Sequence, residues 1–514
     1  MATTSPPPEP THLSDPGQQA TVRWLANVCP AGWCNPPPKG RYNLVIVGGG
    51  AAGLVAAAGA AALGAQVALI ECHRLGGDCL NVGCVPSKAL IRAARAAAAV
   101  RRASRFGVHT QPPKVDFAQV MAHVCEARAR LSPHDSAQRY AALGVDLFFG
   151  RARFVAADAV EVGGQVLRFA RALIATGSRP WIPPIPGLAD AGYLTNETLF
   201  DIREQPSRLA IIGAGPIGCE LAQAFQRLGT QVTLLEIGPR ILPREDPEAA
   251  DLVARSLAEE GVELCLEATV EAVHAGPQGK HIRYRIRGQP RSQTVDALLV
   301  AAGRVPNVQD LGLEAAGVRC EGGRIAVDNT LRTSNPRIYA AGDVALDHPF
   351  THAADASARL VLRNALFPGP KATVDRLLVP RVTYTDPEIG HVGLHPRQAR
   401  AQGMELDTYR VPWAEVDRAV TEGETQGFVQ IHTQRGTDRI LGATVVSSHA
   451  GEILGELVLA MRAGVGLKTV ADTIHPYPTR VGALRRAADL YNRSRLTPWV
   501  QRVLGAWMRF QRRL

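Results

Sequence analysis

Aromatic residues are scarce in this chain, at 5% of 514 residues, and charged residues make up only 20%. So few aromatics argue against an all-β sandwich, while 49 glycines and 46% apolar residues favour a Gly/Ala-rich α/β enzyme. Low charge with ample apolar content also excludes wholesale disorder. The N-terminal stretch MATTSPPPEPTHLSDPGQQA lacks both a basic n-region and an apolar h-region, so it is not a secretory signal. Nine cysteines, an odd number in a long chain, argue against a secreted disulfide framework and for a cytoplasmic protein with reduced thiols. Long apolar runs are missing too, with one exception. Residues 45–70 carry no charge over a length able to span a bilayer. Their Gly48-Gly49-Gly50 turn and closing Glu71 read better as strand, turn, helix and second strand.

What is present is a repeat. Residues 44–71 read LVIVGGGAAGLVAAAGAAALGAQVALIE, and residues 209–236 read LAIIGAGPIGCELAQAFQRLGTQVTLLE. Each has an apolar strand, a G-x-G-x-x-G turn, an Ala/Leu-rich helix and a second strand ending in Glu. The glycines are Gly48, Gly50, Gly53 and Gly213, Gly215, Gly218; the acids are Glu71 and Glu236, and every equivalent pair is 165 residues apart. The first Gly of such a unit permits a tight turn, the second lets backbone approach a pyrophosphate, and the third allows close helix–strand packing. The helix N-terminus offers free N–H groups to the phosphates, and the acid can bind ribose hydroxyls. Two complete units imply two dinucleotides, one resident and one exchanging. A carboxylate at Glu236 repels a 2′-phosphate and favours NADH over NADPH, although Arg240 lies nearby in sequence.

Directly after the first unit comes GGDCLNVGCVPSK, residues 76–88, with Cys79 and Cys84 five apart. On a regular helix they would be about 7.5 Å apart along the axis alone, too far for a disulfide. A bond between them needs a distorted turn, for which Gly77, Gly83 and Pro86 supply the freedom and the break. A redox pair is the favoured reading; a zinc half-site and two inert thiols are the alternatives, and no partnering metal ligands are evident.

This run resembles the active-site signature of the class I pyridine nucleotide–disulfide oxidoreductases, FAD enzymes that include dihydrolipoyl dehydrogenase, glutathione reductase and mercuric reductase. The resemblance spans about residues 42–490 and continues in Ala175-Thr176-Gly177-Ser178, Gly303-Arg304-Val305-Pro306-Asn307, Tyr339-Ala340-Ala341-Gly342-Asp343-Val344, Thr385-Asp386-Pro387-Glu388 and His475-Pro476-Tyr477-Pro478-Thr479. It implies an α/β fold of two Rossmann-like domains, for FAD and NAD(P), with a C-terminal α+β dimerisation domain, and a homodimer. By resemblance, Glu71 holds the adenosine ribose of FAD and Asp343 the ribitol, with Gly48, Gly50, Gly53, Gly150, Thr176 and Gly177 beside them. Gly213, Gly215, Gly218, Glu236 and Gly303 border NAD(P)H. Cys84 becomes the charge-transfer thiolate facing the flavin and Cys79 the exposed interchange thiol. Lys88 lies near the flavin and pairs with Glu220. Electrons then run from NAD(P)H through FAD to the cysteine pair and on to an acceptor.

The pattern departs from the disulfide-reducing members in one place. Aligned on Pro478-Thr479, Tyr477 takes the position of the acid–base His and Gly482 that of the Glu that orients it; His475 sits two residues early. Three readings compete: a drifted loop, a His475 that swings in, and a functional Tyr477 as in mercuric reductases. The third is favoured, because a metal-ion acceptor needs no proton delivered to a leaving thiol. Against it, no cysteine follows Cys320, so the C-terminal Cys pair of mercuric reductases is missing. Cys29 and Cys34, in a leader expected to be mobile, are a conceivable substitute or two incidental thiols. The expected function is a mercuric-reductase-like NAD(P)H oxidoreductase acting on a small-molecule or metal-ion acceptor. Dihydrolipoyl dehydrogenase and a slow flavoprotein redox sensor are the alternatives.

The expected layout is a disordered Pro-rich leader at 1–39, an FAD domain at 40–180 and 310–375, an NAD(P) domain at 181–309 and a dimerisation domain at 376–490. A basic amphipathic tail covers 491–514. Residues 480–514 hold nine Arg and one Asp, which is eight of the ten net positive charges. The tail is expected first to cap the dimerisation domain and second to meet an anionic membrane surface. No nucleic-acid-reading motif accompanies it.

Overall fold

The computed structural model describes residues 15–514; residues 1–14 of the leader lie outside the described residues. The chain divides into two compact units, one of residues up to 237 with 261–377, the other of 238–260 with 378–514.

In the first unit, Arg41–Val47 pairs in parallel with Val67–Glu71 on one side and Gln165–Ile174 on the other. Residues 44–47 are all buried, which is why the strand reads as a continuous apolar run and not as an alternation. Asp146–Phe149 extends the sheet beyond Val67–Glu71, and Ile338–Ala340 returns from far along the chain to pair with Gln165–Ile174. That return places the 3₁₀ turn Gly342–Val344, and hence Asp343, directly after a sheet strand. The uncharged run is strand, helix (Ala51–Ala62) and strand, as expected. Among the described residues no helix is long and apolar enough to cross a membrane.

The second copy has the same plan. Arg208–Ile212 pairs in parallel with Gln231–Leu235 and Ala297–Val300. The duplication extends to individual hydrogen bonds. Gly48 N donates to Ile70 O and Gly213 N to Leu235 O, both at 2.8 Å. Gly49 N donates to the Glu71 carboxylate at 2.6 Å, and Ala214 N to that of Glu236 at 2.8 Å.

The second unit is built on a five-stranded antiparallel sheet, in the order Arg381–Thr383, Glu388–Gly393, Ile440–Ser447, Phe428–Gln434, Leu406–Pro412. Helices Ala450–Ala463 and Gly482–Ser494 bury apolar faces in its core, around Trp413, Val429 and Ile431. The sheet also encloses histidines. His391 stacks on His395 with ring centroids 3.6 Å apart, and His432 shares a 2.9 Å hydrogen bond with Thr408 Oγ1.

Three expectations are corrected. Residues 15–39 are not a disordered leader. Asp15 caps the helix Pro16–Val28, with Pro16 in its first turn, a start signal that outweighs the surrounding prolines. The helix packs on Phe117–Leu131, and Trp24 is buried under the Arg128 guanidinium at 4.7 Å. Beyond it, Trp33 Nε1 donates to Leu147 O, and Asn35 exchanges two hydrogen bonds with the Phe149 backbone. Cys29 and Cys34 are therefore exposed thiols on a fixed segment. Residues 238–260, expected within the NAD(P) domain, group with the C-terminal unit instead. Arg381 binds Glu245 at 2.9 Å, Arg410 pairs with Glu248, and Ser256 Oγ donates to Asp386 O at 2.6 Å. The tail does form a helix, Pro498–Gln511, but it buries no residue against the described residues and so caps none of them.

The buried imidazoles set an acid limit. Burial pushes His395 and His432 down to about 4 and His391 well below its usual value. An unfolded chain takes up these protons near pH 6.5 and the folded one does not. The stability these three residues contribute is therefore complete above pH 6.5 and falls as pH drops towards 4. Melting temperatures measured across that window are expected to decline, and His432→Gln to flatten the decline.

Candidate functional site

The short helix Gly77–Asn81 stops at Val82, and a new helix, Cys84–Arg102, begins after Gly83. A Cβ on Gly83 would lie 2.8 Å from Asp78 O, so the crossing accepts only glycine. This break brings the Cys79 and Cys84 thiols into hydrogen-bond contact. Cys84 opens the second helix, where unpaired N–H groups favour a thiolate. Its thiol is lowered to about 6, above all by the Cys79 hydrogen bond, with help from Thr351 Oγ1 at 3.6 Å and the Lys88 charge. The Cys79 thiol is pushed up in return, because it donates to Cys84 and is partly buried. Cys79 also lines a cleft of about 700 Å³ whose wall includes Leu54, Val85, Asp135, Tyr140 and Thr351.

One turn along the same helix, Lys88 Nζ donates to Glu220 Oε2 at 2.7 Å, with Glu220 buried. Glu220 sits on Pro216–Leu228, the helix of the second repeat, so this ion pair joins the two repeats. Asn81, between the cysteines, is held from outside its own segment: its Oδ1 accepts from Trp24 Nε1 at 2.9 Å. Its Nδ2 donates to Leu75 O and Gly77 O.

Both dinucleotide turns have the geometry their glycines imply. Gly48 and Gly213 take φ of +109° and +104°. A Cβ on Gly53 would sit 1.8 Å from Gly48 O, and one on Gly218 1.9 Å from Gly213 O. Neither following helix has a side-chain cap, and a Cβ at Gly215 would meet nothing within 4 Å. Open space over uncapped N–H groups fits a pyrophosphate. Burial pushes the Glu71 carboxyl up against the pull of the Gly49 and His73 N–H groups. Gly150, next to this acid, donates its N–H to Glu71 O at 2.9 Å. Asp343 accepts from Ser178 Oγ at 2.6 Å, Ser178 Oγ accepts from Arg304 Nε at 2.8 Å, and Arg304 pairs with Asp78. Thr176 Oγ1 donates to Asn307 O, and Asn307 N to Gly177 O, stitching two distant motifs together. Gly303 O accepts from Trp181 N at 2.9 Å. Both turns fit a dinucleotide.

Tyr477 and His475 belong to the other unit. Tyr477 is exposed, and its hydroxyl donates to Asp417 Oδ2 at 3.0 Å, a bond that pushes its pKa up. His475 Nε2 lies 2.9 Å from Glu456 Oε1 and Nδ1 3.1 Å from Thr473 O. Sequence reasoning missed Thr351, Asn81 and Glu456. Thr351 stands 267 residues from Cys84, and no local spacing announces such a contact.

The geometry makes the site testable by titration and by glycine substitution. Thiolate absorbance of the reduced enzyme is expected to titrate near pH 6, and Cys79→Ala and Lys88→Gln are each expected to move the midpoint upward. Gly53→Ala is expected to yield protein without bound flavin. Gly218→Ala is expected to keep flavin, read by its absorbance, yet resist reduction by NADH.

Residues 42–359 match the family model "Pyridine nucleotide-disulphide oxidoreductase", and residues 379–488 match that family's dimerisation domain. The chain is 36% identical to a mercuric reductase of Staphylococcus aureus, covering 88% of this chain and 83% of that one. It is 34% identical to a dihydrolipoyl dehydrogenase of Chlamydia muridarum, covering 85% and 94%. Among solved structures, a Cu(II) complex of the HOCl-induced flavoprotein disulfide reductase RclA from Escherichia coli superposes with TM-score 0.78 at 29% identity, covering 88% of this chain and 100% of that one. LpdA from Mycobacterium tuberculosis superposes with TM-score 0.80 at 29% identity, covering 87% and 99%. Proteins of this family use FAD and NAD(P)H, and the dimerisation domain supports a homodimer. With nearly all of residues 42–488 matched, the chain belongs to the pyridine nucleotide-disulphide oxidoreductases and is an NAD(P)H-dependent flavoprotein enzyme of that family.

Proposed function

We propose that the enzyme passes electrons from NADH to a soft metal ion through the Cys79–Cys84 pair, in the manner of the mercuric-reductase branch. The observation that carries this reading is the inequality of the two thiols: Cys84 is acidic beside Lys88 and Thr351, and Cys79 faces the cleft. When bound, NAD(P)H supplies a hydride and FAD turns it into the electron pair that opens a disulfide. In this reading Gly48, Gly50, Gly53, Glu71, Gly150, Thr176, Gly177 and Asp343 hold FAD. Gly213, Gly215, Gly218, Glu236 and Gly303 hold the nicotinamide cofactor, with the Glu236 carboxylate disfavouring a 2′-phosphate. Lys88 and Glu220 fix the charge around Cys84.

The two electrons convert the Cys79–Cys84 disulfide to two thiols. With a metal acceptor such as Hg(II), the two sulfurs bind the ion as their protons leave, the dithiolate passes its two electrons to the metal, the Cys79–Cys84 disulfide re-forms, and the metal leaves as Hg(0). With a disulfide acceptor, Cys79 forms a mixed disulfide, the first thiol leaves with a proton, and Cys84 attacks Cys79 to release the second and restore the pair. The metal route needs no proton donor. Tyr477, its hydroxyl committed to Asp417 and raised in pKa, supports that route. The mercuric reductase relatives and the Cu(II)-bound relative point the same way. A disulfide acceptor, as for dihydrolipoyl dehydrogenase, is the second reading. The His475–Glu456 pair favours it by supplying an imidazole–carboxylate couple that alignment on Pro478 misses.

Anaerobic NADH oxidation with Hg(II), Cu(II), lipoamide and glutathione disulfide separates the readings. Metal turnover is expected to exceed that of either disulfide, and His475→Asn to leave it within about twofold. If His475 serves a disulfide acceptor, the same change costs about a hundredfold. Fast lipoamide reduction overturns the ranking, and no turnover with any acceptor supports a redox sensor.

A further inference from the structure

The helix Pro498–Gln511 is the one large element of the second unit whose apolar face has no partner among the described residues. Thr497 caps it by accepting from Val500 N, and Pro498 occupies its first turn, so its start is encoded locally. Helices Ala450–Ala463 and Gly482–Ser494 each bury five residues, whereas this one buries none. Trp499, Val503, Leu504, Trp507, Met508 and Phe510 are between 43% and 66% exposed. At about 100° per residue these side chains fall within roughly half of the helix circumference, and Arg502, Arg509, Arg512 and Arg513 fall on the other half. No acidic residue follows Asp489.

We propose that this helix seats the enzyme on an anionic lipid bilayer, lying parallel to the surface with its tryptophans and Phe510 among the acyl chains and its arginines at the phosphates. The two faces carry the two chemistries such a surface presents, apolar and anionic. A polyanion in solution matches only the arginines, and a neutral apolar groove only the other face. A role in the subunit interface has less support, because the matched dimerisation domain ends at residue 488, before the helix begins.

The test is flotation of the full-length, flavin-loaded enzyme with two kinds of vesicle, phosphatidylcholine alone and phosphatidylcholine with phosphatidylglycerol. Binding is expected with the second and not the first, and it should weaken as salt rises. Trp499→Ser with Trp507→Ser, and separately the quadruple change of Arg502, Arg509, Arg512 and Arg513 to Gln, are each expected to reduce binding at least about tenfold. NADH oxidation in vesicle-free buffer should stay unchanged in both variants. Sedimentation velocity runs beside this. The tryptophan variant should remain dimeric; if it becomes monomeric and the parent ignores both vesicles, the helix is a subunit contact and the proposal falls. Equal binding to both vesicles, or loss in neither variant, also overturns it.

Discussion

Lys88 and Glu220 meet at 2.7 Å although 132 residues separate them along the chain, in a place where Glu220 has little access to water. A half-buried ion pair of this kind is costly to break, because removing one partner leaves the other charge desolvated. Each residue lies on the first helix turns of a different element, one beginning at the cysteine pair and the other at the second glycine turn. The pair therefore sets the distance between the thiols and the second dinucleotide turn. Arg101, donating to Arg227 O farther along the same two helices, keeps their axes from swinging apart. The Lys88 charge that helps to lower the Cys84 thiol, and the electron path proposed from the second turn to the cysteine pair, depend on this spacing.

Much of this was legible in the primary structure, for a physical reason. Glycine turns, the strands around them and the acids that close them are short-range features, and a repeat of 165 residues shows them twice. The hydrogen bonds at Gly49 and Ala214, the same bond in two copies, are its structural counterpart. The helix break between the cysteines was equally visible, since five residues on a regular helix hold two sulfurs apart. Thr351, Glu456 and the grouping of residues 238–260 were not visible, because they are long-range contacts that no local spacing encodes. The helix Pro16–Val28 was misread for a different reason. Prolines dominated the composition of the leader, while its Asp15-Pro16 start signal and a single Trp24 carried the information that decides its state.

The departures in the second unit are as informative as the matches. Family membership accounts for the flavin, the nicotinamide cofactor and the dimer, and it leaves the acceptor open. Tyr477 bonded to Asp417 and His475 bonded to Glu456 are two different proton environments within three residues of sequence.

Asn81 connects the N-terminal helix to this chemistry in one more way. Its three hydrogen bonds, to Trp24, Leu75 and Gly77, clamp the segment between the two cysteines to the N-terminal helix and to the turn before Cys79. A clamped segment gives the thiols a high effective molarity towards each other, since little chain entropy remains to be lost when they bond. Ring closure of the pair is then favoured over the open dithiol. By the same token the open dithiol is a strong reductant, and the reducing strength of the proposed site is set in part by a tryptophan more than fifty residues upstream of it.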